Sequence, residues 1–150
     1  MSNTAAFGNV DAAPQRAATP GVSMAFTALR LGFTVAPILA GADKFLGMMT
    51  NWDKYLAPIV PHTLGIAAHT FMMVVGAIEI VAGLLVAWKP RLGGFVVAAW
   101  LAGIILNLVL NPDHYWDVAL RDLGLLLGAL SLGLIASDLE SPNPRRSEHA

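Results

Sequence analysis

The sequence contains no cysteine. That absence excludes a disulfide framework, thiol–disulfide chemistry, Cys-ligated zinc and protein-held iron–sulfur clusters on this chain. Charge is scarce as well: 13% of residues are Asp, Glu, Lys or Arg, against about 25% in a soluble domain. The formal net charge of −1 gives no general attraction for nucleic acid or anionic lipid, and nucleic acid is not expected as a partner. No G-x-G-x-x-G, Walker, H-E-x-x-H or G-x-S-x-G pattern occurs. Nucleotide binding and hydrolase chemistry therefore have no support in the sequence.

What the chain has is apolar length. Of its 150 residues 56% are hydrophobic and the mean hydropathy is +0.63, a membrane-protein composition. Four segments reach the roughly 20 residues that cross a bilayer: Met24 to Gly47, Ala68 to Trp88, Leu92 to Leu110, and Val118 to Ser137. Lys89-Pro90-Arg91 and Asn111-Pro112-Asp113 punctuate the last three, because proline cannot continue the helical hydrogen-bond ladder. The connection from Met48 to Ala67, with Trp52, Tyr55, Pro58 and Pro61, is long enough to fold back on the bundle at the interface. The expected fold is all-α, an integral membrane four-helix bundle of left-handed packing. Residues 1–22 read as a flexible arm without a cleavable signal peptide, 23–137 as the membrane domain, and 138–150 as a polar tail.

Arg16, Lys89, Arg91, Arg145 and Arg146 fall on one side of these spans. The other side has Lys54 in a loop, with Lys44 and Arg121 inside helix ends. By the positive-inside rule both termini, arm and tail are cytoplasmic. Trp52, Tyr55, Tyr115 and Trp116 then form an aromatic belt at the outer interface, and Trp88 anchors the inner one.

Ionisable groups inside a membrane are costly and tend to face the bundle interior. A three-then-four spacing gives inward stripes of Arg30, Thr34, Pro37, Gly41 and Lys44; of His69, Met72, Gly76, Glu79 and Gly83; of Val96, Trp100, Gly103 and Asn107; and of Arg121, Gly124, Gly128 and Ser131. Asp43, Lys44, His69, Asn107, Arg121 and Asp122 lie within about two turns, ~10 Å, of the outer surface. Glu79 is near mid-membrane, where it is the candidate catalytic residue as a proton relay. Arg30, about a third of the way in from the cytoplasmic side, is within reach of an ion pair with Glu79. Arg30, Lys44, His69 and Asn107 are the candidate ligand-binding groups. Asp43, Arg121 and Asp122 are expected in structural ion pairs, Arg121 with Asp43 and Asp122 with Lys44, clasping the fourth helix to the first. The same charges also admit a purely structural reading, in which they fix helix register. His69 and His114 lack partners at ligand spacing, so neither a metal site nor haem ligation is expected.

Three stretches carry a family resemblance: "LRLGFTVAPILAGADKF" (Leu29 to Phe45), "GAIEIVAGLLVAW" (Gly76 to Trp88) and "RDLGLLLGALSLG" (Arg121 to Gly133). An early arginine with a late glycine and lysine, a mid-helix glutamate followed by glycine, and an Arg-Asp pair before spaced glycines resemble the DoxX family of small four-helix bacterial membrane proteins, over about residues 26–137. The resemblance implies a multi-pass protein of the bacterial inner membrane. It further implies an integral subunit or accessory of a quinone-linked oxidoreductase, with quinone as the associated cofactor and respiratory-complex subunits and membrane lipid as partners. The chain has no redox cofactor motif of its own, so catalysis by the isolated chain is not implied. Two other readings stand beside this one: a non-catalytic structural or assembly subunit of a larger membrane complex, and a proton-linked carrier of a small solute.

Overall fold

The computed structural model describes residues 19–141. Most of the expected arm, and the tail from 142 onward with Arg145 and Arg146, lie outside the described residues, as does Arg16. The elements are α1 (Pro20–Leu46), a 3-10 turn (Trp52–Tyr55), α2 (Ile59–Leu64), α3 (Ala68–Trp88), α4 (Pro90–Leu110) and α5 (Trp116–Glu140), with no strand among the described residues. Four of these, α1, α3, α4 and α5, are long and apolar enough to cross a membrane.

Helix α3 begins and ends where hydropathy alone places the second segment. The other three run further than expected, and for α1 and α4 the reason is proline. Pro20 and Pro90 stand in the first turn of α1 and α4, where a missing N–H removes no intrahelical bond. Only Lys89 therefore separates α3 from α4. Helix α1 stops at Gly47, whose φ of 63° lets its N–H close on the Asp43 carbonyl.

The bundle is built from two tight pairs, α1 with α3 and α4 with α5, joined by α3–α4 and α1–α5 contacts. Backbone contact sets the α1–α3 register. A Cβ on Gly41 would lie 2.5 Å from the Gly76 carbonyl oxygen, and one on Gly83 would lie 2.7 Å from that of Thr34. On the α4–α5 side a Cβ on Gly94 would lie 2.7 Å from the Gly133 amide nitrogen. One apolar core, of Phe33, Ala82, Val86, Val97, Ala98, Ala129 and Leu132, fills the end near the α3–α4 turn. A smaller one, of Leu56, Met72 and Val75, joins the opposite end to the 48–67 connection. That connection does fold back, and Ala57 within it is fully buried.

On α1 and α3 the inward stripes match the spacing, except that His69 is exposed at the helix start. On α4 and α5 they do not. Val96 and Gly103 face outward, as do Arg121, Gly124 and Ser131; the buried residues of α5 are Ala119, Asp122, Ala129, Leu132, Gly133 and Ala136. The α5 seam is thus turned by one residue, about 100°, toward the face whose alanines and Gly133 let α4 approach. Asp122 moves inside as a result, and Arg121 moves out.

Candidate functional site

Between the two apolar cores lies a layer of charge. Lys44 Nζ stands 2.6 Å from Glu79 Oε2, with the two side chains 4% and 10% exposed. Antiparallel geometry explains the pairing. Each Cα–Cβ bond tilts toward the N-terminus of its own helix, so Lys44 leans inward from the end of α1 while Glu79 leans outward from the middle of α3. The same tilt carries Arg30 away from Glu79. Its guanidinium instead donates to the Ala87 carbonyl in the last turn of α3, so the expected Arg30–Glu79 pair does not form.

Asp122 is the third member of the layer. It is 7% exposed and lies within electrostatic reach of both Glu79 and Lys44. Its nearest cation is its own neighbour, Arg121 Nε at 3.7 Å, on a side chain that is 70% exposed. The indole N–H of Trp100 is buried beside the Glu79 carboxyl, outside standard hydrogen-bond geometry. Two buried carboxylates therefore stand around one buried ammonium, which pairs with Glu79, and one indole donor.

The expected clasp of Arg121 on Asp43 is also replaced. Asp43 is buried, and its carboxylate accepts from the backbone N–H groups of Met48 at 2.9 Å and Met49 at 3.0 Å, and from Trp52 Nε1 at 2.8 Å. It works as a clamp on the chain that leaves α1. Trp52, held by that bond, lays its ring over Lys44, with Nζ 3.8 Å from the ring centroid. Lys44 gives its short contact to Glu79, and Asp122 makes no ion pair with it. Asn107, a candidate ligand group by sequence, accepts from Ala57 N–H at 2.9 Å and donates to the Tyr55 carbonyl at 2.8 Å. Asn111, which sequence reasoning passed over as turn punctuation, donates to the Lys54 carbonyl at 3.1 Å. Both asparagines thus bind the reentrant connection to the end of α4.

A cavity of about 260 Å³ opens above this layer, lined by Lys44, Gly47, Thr50, Asn51, Trp52, Asp53 and His69. His69 Nδ1 and Asp53 Oδ2 face each other across it at 3.6 Å. The structure thus brings Lys44, Glu79, Asp122 and His69 to one end of the bundle and leaves Arg30 at the other. Sequence reasoning reads Trp52 only as part of the interfacial belt, and gives Trp100, though on an inward stripe, no role at the site. The available signal was their place, Trp52 shortly after Asp43 and Trp100 within the third segment.

Asp43→Ala should release this roof. The expected result is a red-shifted tryptophan emission and faster proteolysis within residues 48–56, with α-helical circular dichroism retained. Unchanged cleavage and emission would show that Asp43 does not hold the connection. Among the described residues no three His, Asp or Glu side chains gather as a cation-binding set. Comparison of the chain with protein-family models, curated proteins and solved structures gave no match.

Proposed function

We propose that the protein is a DoxX-like integral membrane subunit of a quinone-linked oxidoreductase, residing in the bacterial inner membrane. In this reading the bundle is left-handed, both termini are cytoplasmic, and the Lys44 end faces outward. One observation carries the functional part: a buried Lys44–Glu79–Asp122 layer beneath a cavity lined by the Trp52 indole at the end of the bundle that carries the 48–67 connection.

The residues around that cavity suit a quinone head. The Trp52 ring offers a flat apolar face, and Lys44 and His69 offer donors for its carbonyl oxygens. When bound, such a group accepts electrons from a partner subunit together with protons. The chain's own part is to orient the head and to hold protons beside it. Glu79 and Asp122 exceed the single buried ammonium by one negative charge, which gives the layer room to take up and pass a proton. The apolar core of Phe33, Val86, Val97 and Leu132 closes the path toward the α3–α4 turn, so exchange runs to the cavity side only.

Glu79→Gln in the complex that copurifies with this protein from native membranes is expected to lower quinone turnover by about a hundredfold, the usual size of a lost acid–base group, while assembly persists. Unchanged turnover in the assembled variant would overturn the reading. A non-catalytic assembly subunit is the second reading. It is favoured by Gly103 and Gly124, on outward faces of α4 and α5 with nothing within 4 Å of a Cβ built there, open to close approach by a partner helix.

A further inference from the structure

Of the three charged residues of α1, Asp43 and Lys44 serve the end that carries the 48–67 connection, and Arg30 stands alone toward the other end. It is half-buried, and its contact with the Ala87 carbonyl occupies only part of a guanidinium that carries five N–H donors. No carboxylate stands within ion-pair distance of it among the described residues. A cavity of about 290 Å³ lies over it, lined by Phe26, Thr27, Leu31, Thr34 and Ala87. The wall is mainly apolar, and Leu31 is 61% exposed on the lipid-facing side.

The register gives the depth of this groove. Gly83 sits against Thr34 and Ala87 against Arg30, so Trp88, the last residue of α3, is level with Leu29. Helix α1 continues about nine residues, or ~13 Å, beyond that level. The polar headgroup layer on one side of a bilayer is about 5–7 Å thick. With exposed Trp88 as the interfacial anchor at the hydrocarbon boundary, the first turns of α1 cross that layer and Arg30 lies at its inner edge, shallower than the third of the way in expected for a helix that starts at Met24. Trp88 is exposed at the same level, with Lys89 Nζ 4.9 Å from its ring centroid, and Arg91 follows. Among the described residues the carboxylates at this end, Asp138 and Glu140, are exposed at the close of α5 and pair with none of these cations.

An unpaired guanidinium at phosphate depth, opening on an apolar groove, matches a molecule with an anionic phosphodiester and an acyl chain. We propose that this groove binds an anionic phospholipid, Arg30 holding the phosphate and the wall of Phe26 and Leu31 taking the first carbons of one chain. The site is independent of the quinone reading, because it lies at the opposite end of the bundle.

The test is native mass spectrometry of the full chain released from vesicles of phosphatidylcholine and phosphatidylglycerol at 3:1. The wild type should retain phosphatidylglycerol above its bulk share by about fivefold, the weight of one basic residue at an anionic surface. Arg30→Gln should return retention to the bulk ratio, and the paired change Lys89→Gln with Arg91→Gln should leave most of the preference. Thr27→Trp, which fills the groove and leaves the Arg30 to Ala87 bond in place, should reduce it as well and covers the case in which Arg30→Gln fails to fold. Equal retention of both lipids by the wild type, or full retention by Arg30→Gln, would overturn the proposal. So would displacement of the lipid by millimolar inorganic phosphate, which would mark a site for free anions.

Discussion

Lys44→Met is expected to destabilise this bundle more than any other single side-chain change, by about 3–5 kcal/mol, the cost of stripping one partner from a buried ion pair. The ammonium is 2.6 Å from Glu79 in an environment where both side chains are at most 10% exposed. Without it, Glu79 and Asp122 remain as neighbouring buried carboxylates whose only other cation, Arg121, is mostly in the open. The packing of the ammonium on the Trp52 ring at 3.8 Å is lost as well, and with it a cation–π contact that reaches about 2 kcal/mol when desolvated. Glu79→Gln should cost less, since the amide still accepts from Lys44. Lys44→Met combined with Glu79→Leu should recover much of the loss, because an apolar pair of similar volume needs no counter-charge. Unfolding in mild detergent, followed by tryptophan fluorescence, gives the order. A double variant as unstable as Lys44→Met, or a single one as stable as wild type, would show that the pair does not hold the layer.

Hydropathy made the four spans legible, and the periodicity of α1 and α3 made their inward faces legible too. Both helices carry polar residues and glycines on one stripe, so their inward faces stand out in the sequence. Helix α4 is apolar on nearly every side, and α5 presents Arg121, Gly124, Gly128 and Ser131 on a stripe that imitates an inward one, while in lipid an outward leucine costs nothing. Burial there is decided by which small residues allow backbone contact. Gly124 and Gly128 resemble a packing pair, yet only Gly128 meets a neighbour, the Phe33 ring of α1, and the α4–α5 seam uses Gly133 against Gly94. A slip of one residue was enough to exchange the roles of Arg121 and Asp122.

The starts of α1 and α4 differ from the hydropathy bounds for another reason. A proline within a sequence suggests a break, but Pro20 and Pro90 serve as first-turn residues and lengthen α1 and α4. The partners of the charges were not legible because they depend on axial register and on side-chain tilt. Lys44 and Glu79 differ by about two turns in nominal depth and still meet, since each leans toward the other. Arg30 and Glu79 lean apart. Asp43 illustrates a further limit: near the end of a helix it serves the backbone N–H groups of the following chain, a local contact that competes with any distant cation.

Gly41→Leu should be the second most damaging change, and it tests the register on which the charged layer depends. A Cβ at this position would stand 2.5 Å from the Gly76 carbonyl oxygen and 3.1 Å from the Ile80 amide nitrogen. Both are backbone atoms, so relief requires that α1 and α3 separate. Overpacking of a well-filled interface typically costs about 1–3 kcal/mol, and here the separation also strains a second contact. Gly76 lies against the Lys44 side chain, with a built Cβ 3.0 Å from the Lys44 Cβ, so parting the helices at Gly41 pulls Lys44 away from Glu79 one turn on. Gly41→Ala should show the same effect in smaller degree. Gly124→Leu is the matched control: a Cβ there meets nothing within 4 Å, and loss of a helix-interior glycine favours the helix by up to about 1 kcal/mol. Gly124→Leu should therefore unfold at or above the wild-type denaturant concentration, while Gly41→Leu gives aggregated or loosened protein. If the two leucine variants were equally stable, α1 and α3 would not be in backbone contact at Gly41, and the short Lys44–Glu79 pair built on that contact would have to be abandoned with it.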